Sequence, residues 1–214
     1  MHASVKRITY EETKPFIMGI HYARRMPSVS YAYGLFKDDN LIGVCTFGQP
    51  ASPWLCKGVA GEENRKNVIE LNRLCLLPEW NGGNYASYLV SQSLKMLPKG
   101  LYVVSYSDTA WGHVGYIYQA TNWYFTGTTK PRTDMWSASG HSRHNCGDSS
   151  KRQFRSAKHR YIYLTGSKKQ KARMKESLRY PIIPQYPKGN SEKYDTSNPK
   201  QPYTNDINRE SLSV

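Results

Sequence analysis

The sequence predicts a mixed α/β fold: a mostly antiparallel sheet flanked by helices, with a basic insert and a disordered C-terminal tail. Three observations carry this expectation. Short runs rich in β-branched and aromatic residues recur along the chain. A Gly-Gly turn leads out of one such run into a segment with helical apolar spacing. Residues 190–214 are polar and aperiodic, which predicts the tail. The 214 residues suit one domain over 1–189 rather than two full domains.

Taken in order, SYAYGLF (30–36) and LIGVCTFG (41–48) read as a hairpin turning at Asp38, Asp39 and Asn40. Residues 50–67 hold Pro50, Pro53, Gly58 and Gly61 and read as a loop. VIELNRLCLLP (68–78) predicts a strand, and YASYLVSQSLKML (85–97) a helix stopped by Pro98 and Gly100. LYVVSYS (101–107) predicts a buried strand ending at Asp108, residues 112–121 a short helix, and 122–127 a further strand. The runs 133–138 and 160–166 are expected to pair antiparallel around a basic insert at about 140–160. A basic helix is expected from Ser167, closed off by the prolines of PIIPQYPKG.

The net charge of +14 makes a polyanion the default partner. Residues 130–188 carry 15 Lys and Arg against 3 Asp and Glu, so the excess lies in the C-terminal half. A mean hydropathy of -0.69 and the lack of a run near ~20 apolar residues argue against a membrane span. An N-terminus without an apolar core argues against a signal peptide, and a cytoplasmic location is expected. Cys45, Cys56, Cys75 and Cys146 lack CxxC spacing and read as small hydrophobes.

The order strand, Gly-rich turn, helix, strand, short helix, strand resembles the GCN5-related N-acetyltransferases. In that superfamily the turn places unpaired N–H groups of a helix N-terminus around the pyrophosphate of acetyl-coenzyme A. The stretch similar to it here is Asn81, Gly82, Gly83, Asn84, Tyr85 and Ala86. Asn81 departs from the usual Arg or Gln, and Asn84 from glycine; Asn tolerates positive φ, so the turn can still form. A Gly-Gly turn that merely caps a helix is the plainer alternative.

The strings HYARRMP (21–27), ELNRLCLLP (70–78), YSDTAWGHVGYIYQATNWYFTG (106–127) and LRYPIIPQYPKG (178–189) are together similar to the Mom family of bacteriophage DNA-modification proteins. The resemblance covers about residues 16–189. It implies an enzyme of the infected host's cytoplasm that converts adenine in double-stranded DNA to N6-carbamoylmethyl (acetamido) adenine, an anti-restriction modification. It also implies a divergent acetyltransferase-like fold and acetyl-CoA as cofactor.

Carried over on the matching positions, the resemblance implies catalytic roles for His21, Tyr22, Arg73 and Asp108. Each has a plainer alternative. His21 can serve a backbone group, and Tyr22 can pack in the core. Arg73 inside an apolar run needs an anion or solvent. Asp108 can cap the following helix. Tyr118, with Gln119 on the short helix, falls where the superfamily commonly supplies a general acid, or simply packs. The product joins nitrogen to a CH₂ group, which acyl transfer alone cannot do. A redox metal such as Fe(II) would help, and His21, Tyr22 and Asp108 are the ligand set that the resemblance and ligand chemistry suggest.

In the insert, Arg143, Lys151, Arg152, Arg155, Lys158 and Arg160 interleave with Phe154, a pattern suited to phosphates and a displaced base or simply to a solvated loop. Lys168, Lys169, Lys171, Arg173 and Lys175 would extend a phosphate track. Trp111, Trp123 and Trp136 are stacking candidates for a flipped adenine or else core residues. Two rival readings stand beside this one: a conventional N-acetyltransferase on a protein or small-molecule amine, and a catalytically inactive DNA-binding module.

Overall fold

The computed structural model describes residues 3–136 and 148–189. A seven-stranded sheet has the order β1-β2-β3-β4-β5-β9-β6, and β7 and β8 form a separate two-stranded ribbon. The strands are β1 (Ala3–Arg7), β2 (Tyr31–Lys37), β3 (Asn40–Gly48), β4 (Val68–Leu76), β5 (Tyr102–Asp108), β6 (Tyr124–Thr128), β7 (Arg132–Trp136), β8 (Asp148–Arg155) and β9 (Lys158–Leu164). The helices are α1 (Tyr10–Lys14), α2 (Pro53–Asn64), α3 (Tyr85–Met96), α4 (Tyr116–Ala120) and α5 (Lys168–Glu176). A π-helical turn, Pro15–Ile20, extends α1. All sheet pairings are antiparallel except β4 with β5. This is the mixed, mostly antiparallel architecture expected.

The β2–β3 hairpin turns through Asp38 (φ 48) and Asp39 (φ 63), two successive left-handed residues that match the twist of the strands. Along β5 and β9 the side chains alternate. Val103 and Tyr161 meet Leu89, Val90 and Leu94 of α3, while Tyr102, Val104, Ile162 and Leu164 meet Val59 of α2 and Met174 of α5. The sheet therefore has an α3/α4 face and an α2/α5 face. Phe16 and Ile17 of the π-helical turn cover Val44 and Cys75 in a third cluster. The cysteines Cys45, Cys56 and Cys75 are free and buried, consistent with use as small hydrophobes; Cys146 lies outside the described residues.

Two expectations are corrected. Residues 50–67 are not a loop: Pro53 sits in the first turn of α2, where a missing N–H costs nothing, and Cys56, Val59 and Ala60 give the helix a buried side. The run near 133–138 does not pair with 160–166. Instead β7 pairs with β8, formed by the insert itself, while β9 lies between β5 and β6. The β-branched and aromatic content of 160–166 marks a central strand but cannot name its neighbours. The expected tail at 190–214 lies outside the described residues.

The α4 helix begins at Gly115, whose φ of 81 is left-handed and whose missing Cβ leaves room for the Tyr161 ring. Gly115→Ala should destabilise the protein by about 1–3 kcal/mol through strained backbone and displaced ring. Urea denaturation compared with wild type checks this.

Candidate active site

The parallel register of β4 and β5 covers Val68–Glu70 against Tyr102–Val104. Beyond it β4 runs on to Leu76 beside β3, and β5 runs on to Asp108 beside β9. The two strands part, and a cleft of about 840 Å³ occupies the opening. It is lined by Leu71–Leu76, Ser105–Asp108, the start of α2, the 129–134 segment, and residues from the ends of α1's extension and α4. A wedge between the carboxyl ends of parallel strands is a place where α/β sheets gather ligands.

A β-bulge decides which face Arg73 takes. Thr46 pairs with Arg73 but Phe47 with Leu71, so Asn72 is the extra residue. Leu71 packs into the α3 core, whereas Arg73 turns to the opposite face, beside residues 21–25. Asn72 fixes the bulge: its side chain accepts from Thr46 Oγ1 (2.7 Å) and donates to the Ser28 carbonyl (2.7 Å). Arg73 Nε and Nη2 donate to the Arg25 carbonyl (3.3 and 3.0 Å), and Nη1 donates to the Asn72 carbonyl (2.6 Å). Burial disfavours its charge, while Tyr22 and Glu70 favour it.

His21 closes the π-helical turn and is 8% exposed. Its Nδ1 accepts the Ala23 backbone N–H at 3.1 Å, and its ring stacks on Tyr22 with centroids 4.3 Å apart. Burial, and next the Arg73 charge, push its pKa down to about 3, so the imidazole is neutral at physiological pH. Tyr22 in turn lies 5.7 Å from the Trp111 ring, in the 3-10 turn that follows Asp108. His21, Tyr22, Arg73 and Asp108, taken from four separate stretches, all line the cleft.

Asp108 is 5% exposed at the end of β5. It bonds Lys158 Nζ and Ser156 Oγ, and it accepts the Ala110 N–H at 3.1 Å as cap of the 3-10 turn. Burial alone would raise its pKa, but Lys158, Ser156 and Ala110 outweigh that and hold it below the usual carboxylate value. Capping and cleft-lining are thus both properties of Asp108. No sequence pattern pointed to Ser156 or to Lys158 as its partners, because they reach it only through the β5–β9 register.

Tyr118 stands on the α3/α4 face. Its hydroxyl is 2.8 Å from Ser105 Oγ, which is also 2.9 Å from the Leu71 carbonyl. Ser105 Oγ donates to both, its proton shared between the Leu71 carbonyl and the Tyr118 hydroxyl oxygen. Burial keeps Tyr118 protonated. Its hydroxyl oxygen accepts within the wall, and the residue lines the cleft. Gln119 donates to the Val114 carbonyl at 2.9 Å.

In the turn before α3, Gly83 carries the positive φ (55), whereas Asn84, the helix N-cap, has φ -102. Asn84 therefore needs no tolerance of positive φ for the turn to form. Asn81 and Ala86 line the cleft; Tyr85 packs edge-on against Trp80.

Of the DNA-facing candidates, Arg155, Lys158 and Arg160 line the cleft, but each is engaged. Arg155 pairs with Asp134 at 3.0 Å, Lys158 with Asp108, and Arg160 bonds Thr126 and lies 3.3 Å over the Tyr180 ring. Arg143 lies outside the described residues, as do the side chains of Lys151, Arg152 and Trp136. Trp123 is fully buried beneath Tyr118 and Tyr163 and is core, not a stacking surface. Sequence reasoning passed over Trp54, 78% exposed at the cleft margin. On α5, Lys171 lies over the Tyr163 ring and Lys175 over the Tyr124 ring, away from the cleft.

The suggested iron ligands do not fit an iron ion. Asp108 already receives an ammonium, a hydroxyl and an amide, and His21 Nδ1 is spent on Ala23. Among the described residues no group of three His, Cys, Asp or Glu side chains is placed to hold a metal.

A family model described as the Mom protein family matches residues 2–144. The methylcarbamoylase mom of Escherichia phage Mu is 30% identical over 128 residues, covering 58% of this chain and 53% of that protein. The match thus spans about half the length of that relative. Solved structures similar in shape include an N-acetyltransferase from Staphylococcus aureus Mu50 (13% identity, 77% of this chain and 99% of that one, TM-score 0.47). A Bacillus subtilis acetyltransferase in complex with CoA is also similar (12% identity, 78% and 99%, TM-score 0.44). Among the described residues no helix is long and apolar enough to cross a membrane.

Lys158→Met should leave Asp108 as a buried carboxylate without its cation. The loss at neutral pH should be about 3 kcal/mol, the low end for a broken buried pair because Lys158 keeps a third of its side chain in water. In the wild type, the depressed Asp108 pKa contributes stability above the unfolded carboxylate value, and this is lost as pH falls through the folded value. The variant should lack that contribution. Thermal unfolding of both proteins between pH 3 and 7 checks the difference.

Proposed function

The chain belongs to the Mom protein family, and on that premise we propose that it modifies adenine in double-stranded DNA to N6-carbamoylmethyl adenine. The reading extends to phage DNA shielded from host restriction. The observation that carries it is the cleft: His21, Tyr22, Arg73 and Asp108 converge there, under a strongly cationic surround. Seven Lys and Arg line it (Arg25, Arg73, Lys130, Arg132, Arg155, Lys158 and Arg160) against the acids Glu70, Asp108 and Asp134. Such a balance suits a polyanion, and a wedge with walls of tyrosine suits an extruded base.

On this reading the residues divide the work. Asp108, held ionised by Lys158 and Ser156, offers one lone pair beside its bonds to Lys158, Ser156 and Ala110, which accepts a single hydrogen bond from adenine N6 and so orients it. Its depressed pKa makes it a weak base, suited to orientation more than to proton abstraction. Tyr22 and Trp111 supply aromatic surface for the base. The turn Asn81–Ala86, at the N-terminus of α3, offers backbone donors to the pyrophosphate of an acetyl-CoA-type donor, which would bring an activated two-carbon group. With an acetyl thioester as donor, bonding N6 to the methyl carbon breaks one N–H and one C–H bond and takes a two-electron oxidant as co-reactant, and ammonia must displace the thiol to leave the amide.

Expression in bacteria followed by nucleoside mass spectrometry should reveal a deoxyadenosine heavier by a carbamoylmethyl group. Asp108→Asn should lower its yield by at least about 10²-fold while duplex binding by gel shift stays within about threefold. An acetyl mass shift would replace the reading by ordinary acyl transfer, and an unaltered nucleoside would overturn DNA modification. Reversing both Lys130 and Arg132 to Glu should weaken binding to all duplexes alike. It should also flatten the slope of log K against log salt by about 2, near 0.9 per lost phosphate contact. Filter binding across a salt series measures this.

A further inference from the structure

We propose that His21 and Arg73 form a two-donor site for a carbonyl or carboxylate oxygen, at the place where a metal ligand set was expected. One hydrogen bond fixes the tautomer of His21. The Ala23 N–H can only donate, so His21 Nδ1 must present its lone pair, and the proton of the neutral ring is on Nε2. A histidine that binds a metal does the reverse, offering one lone pair to the ion while its other nitrogen donates to a protein acceptor. Neither nitrogen of His21 is in that state. Rotating the ring by half a turn would set a C–H against the Ala23 N–H. The stack on Tyr22 and the near-complete burial of the ring hold it as it is.

Arg73 supplies the second donor. A guanidinium has five N–H groups. Three of them meet the carbonyls of Arg25 and Asn72, which are neutral. Among the described residues Arg73 makes no ion pair with a carboxylate within 4.0 Å. The carbonyls fix the plane of the group without neutralising it. The bulge at Asn72 turns this charge to the face that carries His21, and both residues line the cleft. A neutral N–H donor and a guanidinium with no carboxylate in contact, both lining one cleft, recognise an oxygen that carries or develops negative charge. The site deepens the proposed function and rests on it in one respect only: the oxygen would be that of the two-carbon group destined for adenine N6.

The test has two arms. Protein labelled with ¹⁵N in histidine is examined by NMR and titrated with sodium acetate. His21 should show a protonated Nε2 whose resonance moves with acetate, and the movement should vanish in Arg73→Met. A protonated Nδ1, or a His21 signal indifferent to acetate but shifted by one equivalent of zinc, would overturn the site. In the second arm, Gln at position 21 places an N–H close to that of Nε2, whereas Ala removes it. His21→Gln should keep nucleoside modification within about tenfold of wild type, and His21→Ala should lose about 10²- to 10³-fold. A Gln variant as inactive as the Ala variant would also overturn the donor role. If the wild-type protein yields no modified nucleoside, DNA modification fails as a reading, and the acetate titration alone decides this site.

Discussion

Two parallel strands share three residue pairs and then separate, and the site exists because they do. A sheet normally satisfies each strand with its neighbours, so a gap within it must be held open from outside. Here β3 continues to hold β4 and β9 continues to hold β5, so each parting strand keeps one paired edge. The Ser105 hydroxyl meets the Leu71 carbonyl at the apex of the opening, and Tyr118 backs it. Side chains that would face one another across a closed sheet instead line a cleft.

The same opening explains how one bulge has so large an effect. Without Asn72 as an extra residue, Arg73 would share the face of Leu71, inside the α3 core, where a guanidinium is costly to bury. With it, the charge stands beside His21 and over the cleft. Thr46 and Ser28 anchor the amide of Asn72. Local backbone geometry thus sets the electrostatics of the site, and the carbonyls around Arg73 preserve its charge rather than cancel it.

Much of the sheet was legible because its strands announce themselves through β-branched and aromatic runs: VVSY and RYIYL become β5 and β9. The α3 helix was legible from its apolar spacing. What escaped was pairing. The partner of Asp108 is 50 positions away, and nothing in the local pattern of Lys158 separates it from the cations around it. For that reason Lys158 read as a phosphate contact, and its ion pair with Asp108 went unseen. The α2 helix escaped because two prolines and two glycines outweighed its short apolar side, and a proline in the first turn is no obstacle. Arg73 was legible as an anomaly, a charge in an apolar run, but its direction was set by the bulge, which no residue type advertises.

The position of β9 also sets an order of events as the protein is made. Asp108 and its strand leave the ribosome well before Ser156 and Lys158, and β5 cannot acquire its second neighbour until the ribbon of β7 and β8 has been passed. Contacts of such long sequence separation form slowly, because the intervening loop must be closed first. Until then Asp108 is a carboxylate without its ammonium, and β5 has an open edge. The cleft is therefore among the last parts of the molecule to be completed. A chain cut short before β9 would carry most of the cleft's residues yet lack the strand that organises them.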